Sequence, residues 1–438
     1  MYKIKFPESF SDLILQLKDN FSNPSFKHFE VLLSAILLGH PKKTITSGLR
    51  LMKPSGHFSN ACRFLSQYKW DPIQLGLSVF KIILKYMPVA SALTFALDDT
   101  LVAKFGSKIF GRGCHFDHAR KVNRPKYING HNWVVLGFLH FSFLFSKWLC
   151  FPILADLFVP EKQLDKNHQF RSRIQIAIDL IDKIKTFINK RFIVIADGLY
   201  AKKDLVKYCI KEKVTFISRL RSDAALFQKP KPVIVKKRGR PRTFGKRLPS
   251  LSQLASNKND FKQYHLKLYG KQCCVKIKSF CAIWKPAATE IKVLIVYFDN
   301  MANPCYFFCT DLHLSDTKIV ELIAARWSIE TLFSDLKDHL GLCDWQCRIE
   351  QSVVRSVPLT CVATSILLLW SHQQSQKNQL EFWDVTPWYK NKASPSVYDM
   401  ICQLKAKCIS KTIFSVLPKW AIKGEKSQQI ELFLKLAA

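Results

Sequence analysis

The sequence predicts an α/β protein, and three observations carry that prediction. First, three strand-like runs, SALTFALDD, HNWVVLGFLHFSF and KWLCFPILADLFV, precede a helical stretch and then the short β-branched run RFIVIADGLY. Second, both ends of the chain show apolar residues at helical spacing rather than alternation. Third, 48% hydrophobic residues and thirty-three Phe in 438 positions are enough to bury a large core.

Residues 1 to 88 read as a helical region, with FKHFEVLLSAILLG and FKIILKYM as periodic segments and Pro41, Pro54 and Pro72 as breaks. Its scattered cations, among them Lys42, Lys43, Arg50 and Lys53, are compatible with DNA binding or with simple packing. The core begins near residue 89, where SALTFALDD places Asp98 and Asp99 at a strand end. The apolar run from Trp133 to Phe158 is broken by His140, Ser142, Ser146, Lys147 and Pro152. Those breaks leave pieces too short to cross a bilayer, so it reads as buried strands. Asn167 to Lys190 reads as a helix, and Asp197 and Gly198 close the strand that follows. The first part of the core thus runs to about residue 221, with acids where strands finish. From 222 to 312 the pattern becomes β-rich and largely antiparallel, which marks an insertion. A core helix resumes over 313–349, and a helical region over 350–438 opens with SVVRSVPLTCVATSILLLW.

The resumed helix has clear ends. Ser315 or Asp316 can cap its first turn, and Gly341 sits where a left-handed stop is wanted. Ile319, Leu322, Ile323, Trp327, Leu332, Phe333, Leu336 and Leu340 form its apolar stripe, so Trp327 reads as a core residue, with stacking on an unpaired base as the other reading. Arg326, Glu330 and Lys337, at gaps of four and seven, share another stripe.

Charge is the strongest global signal. Sixty-seven basic against thirty-three acidic residues give +34, a self-repelling surplus that points to a polyanionic partner, nucleic acid first, rather than a membrane. Fourteen cysteines lack the paired spacing of a zinc module, and MYKIKFPESF is no signal peptide; reduced thiols in a cytoplasmic protein are expected. His115, His118 and His131 read as ordinary loop histidines.

Three acid positions, Asp98 or Asp99, Asp197 and Glu330, thus come from two strand ends and a later helix of one basic protein. Carboxylates suit hard divalent cations, and a pair of such ions is one way to cut a phosphodiester. Singly, Asp197 could be a turn residue, Asp98 and Asp99 could cap the following loop, and Glu330 with Arg326 and Lys337 could be a solvated charge ladder.

LDDT at 97–100, ADGLY at 196–200 and RWSIETLFSDLK at 326–337 resemble the three acidic motifs of bacterial insertion-sequence transposases with the RNase H-like DDE fold. Arg326, Glu330 and Lys337 match the R, E and K of that family's Y-R-E-K signature, while its tyrosine position holds Ile323. The resemblance spans about residues 90 to 342. It implies an RNase H-like core with a β-rich insertion between the second and third acids. It also implies two Mg²⁺ or Mn²⁺ ions held by Asp98, Asp197 and Glu330, with Asp99 the alternative to Asp98. Arg326 and Lys337 then hold DNA phosphates.

Residues 229–247, KPKPVIVKKRGRPRTFGKR, carry nine cations and no acid. Arg238, Arg240 and Arg242 around Gly239 and Pro241 resemble a minor-groove hook; a solvated loop is the other reading. The expected function is DNA transposition: binding of terminal inverted repeats, metal-dependent cleavage and joining to target DNA by a homodimer. The alternatives are an inactive, domesticated DNA-binding protein and a metal-dependent nuclease without strand transfer.

Overall fold

The computed structural model describes residues 4–40, 42–52, 56–88, 92–117, 125–164, 168–188, 190–230, 242–299, 301–377, 392 and 394–414. Five helices come first: α1 (Glu8–Leu15), α2 (Asn23–Leu38), α3 (Ile45–Leu51), α4 (Ser59–Ser66) and α5 (Pro72–Tyr86). Local chemistry starts several of them. Ser22 caps α2, Thr44 and Ser47 form a capping box at α3, and Asp71 accepts the Ile73 N–H ahead of Pro72 at α5.

Strands β1 (Leu93–Ala103), β2 (Gly113–Phe116), β3 (Tyr127–Ser142) and β4 (Lys147–Phe158) follow, then α6 (Arg173–Ile188), β5 (Phe192–Ala196), α7 (Lys203–Lys211) and β6 (Thr215–Arg219). In the sheet, β4, β3, β1, β5 and β6 lie side by side: the first three are antiparallel, whereas β1, β5 and β6 run parallel. The parallel strands are joined through α6 and α7, as parallel pairing requires. The run from Trp133 to Phe158 is the buried β3–β4 hairpin.

The stretch after β6 contains β7 (Leu226–Phe227), α8 (Leu251–Ser256), β8 (Lys262–Leu268), β9 (Lys271–Trp284), β10 (Thr289–Phe298) and β11 (Cys305–Cys309). These strands do not form a sheet of their own. β11 pairs antiparallel with β6, and β10, β9 and β8 continue outward, so the insertion prolongs the core sheet. Helix α9 (Asp316–Asp338) then crosses one sheet face, packing on β4, β1, β5 and β8. Ser315 caps it, and Gly341 turns the chain at φ +69°.

Helix α10 (Glu350–Gln376) is long and apolar enough to span a membrane, with a mean hydropathy of 1.7, yet 94% of that apolar window is buried. It packs on β4, α5, α1, α2 and α4, and Ser365 donates to the Pro152 carbonyl of β4 at 2.9 Å. Its buried Arg355 donates to three carbonyls of the N-terminal region: Leu65 at 3.1 Å, Tyr68 at 2.8 Å and Trp70 at 2.7 Å. Helix α11 (Val397–Phe414) rests against α10. One hydrophobic core joins the N-terminal helices, both faces of the sheet and α10.

Candidate active site

The first acid pair departs from the sequence reading. Asp98 and Asp99 lie in the middle of β1, not at its end. Parallel pairing with β5 stops at Leu97 and Ala196, but antiparallel pairing with β3 carries β1 on to Ala103. Asp98 is therefore the first residue beyond the parallel register, still held flat by β3. Asp197 directly follows β5, as expected; its carboxylate caps the turn Gly198–Tyr200 by accepting the Leu199 N–H at 2.8 Å. Ser218 of β6 donates to the Asp197 carbonyl at 2.6 Å and fixes the turn from the other side.

Successive residues of a strand face opposite ways, and the two aspartates divide accordingly. Asp98 faces α9, where the Arg326 guanidinium donates to Asp98 Oδ2 at 3.0 Å and to Glu330 Oε1 at 2.6 Å. Asp99 faces the start of α6. It accepts from Asn132 at 2.8 Å, Arg173 at 3.1 Å and Tyr200 at 3.3 Å, and is fully engaged there.

Electrostatics set Asp98 apart. Its burial and the neighbouring Asp197 push its pKa up to about 7, outweighing the opposing pull of Arg326. Asp197 is also raised, chiefly by burial. A buried acid pushed up by a neighbouring acid marks a place where a cation is favourable, and Arg326 lowers the pKa of both Asp98 and Asp197.

Oxygen-only donors such as Asp98, Asp197 and Glu330 fit a hard divalent ion, and the raised carboxylate is the condition that such an ion relieves. Among the described residues, no group of three or more His, Cys, Asp or Glu side chains is close enough to hold a metal as it stands. The arrangement is thus one in which the Arg326 fork spans the acids.

The other predicted residues are placed as follows. Lys337 lies two turns beyond Glu330 on α9, where the charges acting on it are those of Cys343, Asp117 and Asp338 rather than the acid cluster. Arg242 is exposed; Arg238 and Arg240 lie outside the described residues. Ile323 is half-buried against the core. Trp327 is not a core residue: it is 50% exposed. His115 and His131 are in strands, not loops; His131 is buried, bonded to the Phe110 carbonyl at 2.8 Å, and its pKa falls to about 4 through burial. His118 lies outside the described residues. Sequence reasoning missed Arg173, Asn132 and Tyr200. Only Tyr200, inside ADGLY, carried a local signal.

The comparison with family models now decides the relationship. Residues 16–269, well over half of the chain and including Asp98 and Asp197, match the model described as DDE superfamily endonuclease. The chain belongs to the DDE superfamily endonucleases. Residues 279–360, including Glu330, match a second model of this kind, described as "Archaeal putative transposase ISC1217". A comparison with curated proteins finds none that matches. Within this superfamily the chain is a transposase-type nuclease with an RNase H-like core: the β4-β3-β1-β5-β6 order is its sheet and Asp98 and Asp197 lie at its centre. DNA is the substrate that this membership implies, and DDE superfamily nucleases generally use divalent metals.

Proposed function

We propose that this chain is the transposase of an insertion sequence, binding the terminal inverted repeats of its own element, cutting there and joining the freed 3′-hydroxyls to target DNA. The observation that carries this reading is the Arg326 fork across Asp98 and Glu330, with Asp197 close enough to raise the pKa of Asp98. Three acids from distant segments meet one cation where the parallel pairing of β1 and β5 ends, in a chain of charge +34.

In this reading Asp98, Asp197 and Glu330 hold two Mg²⁺ or Mn²⁺ ions. The chemistry the metal supplies when bound is activation of the attacking water or hydroxyl and relief of charge on the leaving oxygen. Asp99, already satisfied by Asn132, Arg173 and Tyr200, keeps the Asp197 turn in place instead. When DNA arrives, the Arg326 guanidinium passes from the carboxylates to a phosphate beside the scissile bond, and Lys337 takes a phosphate further along the strand. Each step is in-line attack at phosphorus with no protein-linked intermediate. Arg238, Arg240 and Arg242 contact the minor groove, two copies bring the two ends together, and the work is done in the cytoplasm.

One assay tests this. Purified protein, DNA from either side of the gene as labelled ends, a target plasmid and Mg²⁺ are combined, and Glu330→Gln is run alongside. Cleavage and joining by the parent chain, both abolished in Glu330→Gln with DNA binding retained, is the expected result. Equal cutting by Glu330→Gln would remove Glu330 from the site; binding without cutting by the parent would make the protein a DNA-binding descendant, and cutting without joining a plain nuclease.

A further inference from the structure

The arginines near the acids are not equivalent. Arg326 is committed to Asp98 and Glu330, Arg173 to Asp99, and Arg221 to Asp223. Arg219, the last residue of β6, has no carboxylate partner among the described residues. Its side-chain contact is with the Cys305 thiol, at 3.7 Å from the guanidinium. It also stands beside the acids: a Cβ built on Gly198, the residue after Asp197, lies 3.6 Å from the Arg219 Cβ. An exposed guanidinium next to a buried acid, with no carboxylate partner among the described residues while Arg326, Arg173 and Arg221 are paired, can take an outside anion.

A second group approaches the same place from the insertion. Tyr269 occupies the two-residue turn between β8 and β9 with φ +52°, followed by Gly270 at +78°. That turn favours Asn or Asp at its first position, and a bulky aromatic there is strained. Packing does not account for it, since Tyr269 is 60% exposed. The hairpin leans on α9, and the charged groups acting on the phenol are Arg326 and Glu330, with Cys305 also near. Cys305 is thus common to both: its thiol meets the Arg219 guanidinium at 3.7 Å, and it acts on the Tyr269 phenol together with Arg326, Glu330 and Cys273.

We propose that Arg219 and Tyr269 form a second phosphate-binding point, distinct from Arg326 and Lys337, that grips a DNA backbone phosphate on the insertion side of the acids. The guanidinium supplies charge and a two-pronged set of donors; the phenol donates one further hydrogen bond to a non-bridging oxygen. Through this pair the insertion touches the strand being cut, and the β8–β9 turn becomes part of DNA positioning. The inference rests on the transposase reading above, since it needs DNA laid across the acids.

The test is the salt dependence of binding to a fluorescently labelled random-sequence DNA duplex, which reports phosphate contacts whatever the bases. Arg219→Ala should flatten the slope of log affinity against log salt by about one and weaken binding about tenfold near physiological salt. Arg219→Lys should keep the slope, and Tyr269→Phe should weaken binding a few-fold without changing it. Should alanine cost the fold, Arg219→Gln replaces it, with thermal melting as the check. A merely structural Arg219 would lower the melting temperature and leave the slope at the parent value; that result overturns the proposal. The two readings fail separately: Glu330→Gln that binds with the full slope but does not cut upholds the acid site whatever Arg219 does. A parent chain that does not bind DNA sinks both.

Discussion

Replacing Arg326 by alanine removes the cation from the centre of the acid cluster. The guanidinium is 18% exposed and its partners Asp98 and Glu330 are 15% and 34% exposed, so neither pair is well screened. Opposite charges ~4 Å apart attract by about 4 kcal/mol at an effective dielectric near 20, and desolvation offsets part of this. Removing one partner of a half-buried pair, with the acids left facing one another, should cost about 3 kcal/mol of stability. In a chain of 438 residues unfolding as one unit, with about 2 cal/mol/K of unfolding entropy per residue, that is a fall of ~3 °C in Tm. Catalysis should suffer more. Losing a charged donor aimed at the reacting phosphate costs about 3 kcal/mol of barrier, or about a hundredfold in rate. The assay is single-turnover cleavage of end-labelled DNA at saturating protein, divided by the folded fraction from circular dichroism, with Arg326→Lys as the variant that retains charge. Manganese titration of the free protein gives a second readout. With the competing guanidinium gone, Arg326→Ala should bind the ion about tenfold more tightly than the parent. If Arg326→Ala melts early but cleaves at the parent rate per folded molecule, the guanidinium is only a structural strut and its assignment to phosphate is wrong.

Two further outcomes follow from the architecture. Arg355→Ala takes the donor from two buried carbonyls and one partly buried one, and loses the guanidinium 4.7 Å from the Trp70 ring. It should lower Tm by about 3 °C through a loss of roughly 3 kcal/mol, and an unchanged melting curve would show that the N-terminal helices do not depend on α10. Asp335, on α9 away from the acid cluster, has its pKa pushed from 3.8 to about 6 by burial, against the pull of His339 and Lys147. Because the folded value lies above the unfolded one, the stabilisation is complete below pH ~4 and is lost as pH rises through ~6. At most about 3 kcal/mol is involved, less any solvent screening. Asp335→Asn should therefore flatten the stability profile between those values, and chemical denaturation at a series of pH values will show whether the slope survives the substitution.

What could be read in advance was local. Ser315 and Gly341 announced α9, and a β-branched run broken by Asp197 and Gly198 announced the turn that holds the second acid. What could not be read depended on distant partners. Asp98 and Asp99 look like a strand end because acids interrupt the apolar alternation; only the register with β3 shows the strand running through them. Which of the two faces α9 is likewise a matter of pleat, fixed by β3 and β5 rather than by neighbours in sequence. The insertion strands were visible as β-rich runs, but their joining of the core sheet rests on the pairing of β11 with β6, far apart in the chain. Helical spacing put Trp327 in the apolar stripe because periodicity marks a stripe without saying what covers it, and half of this side chain stays exposed. Lys337 shares an angular position with Glu330, but seven residues of helix rise set the two about 10 Å apart, beside different neighbours.

The pairing of β11 with β6 also sets an order of events for a nuclease made in the presence of DNA. Asp98 and Asp197 are in place once β1 and β5 are side by side, but Glu330 reaches them only on α9, which begins at Asp316, after every strand of the insertion. A growing chain still short of α9 carries two aspartates, no third acid and no Arg326 to complete the site. Long-range pairing of this sort is slow to form compared with local helices. Under the proposed assignment of Glu330 and Arg326, the connectivity works as a delay: fragments, nascent or proteolysed, that stop before α9 should bind without cutting.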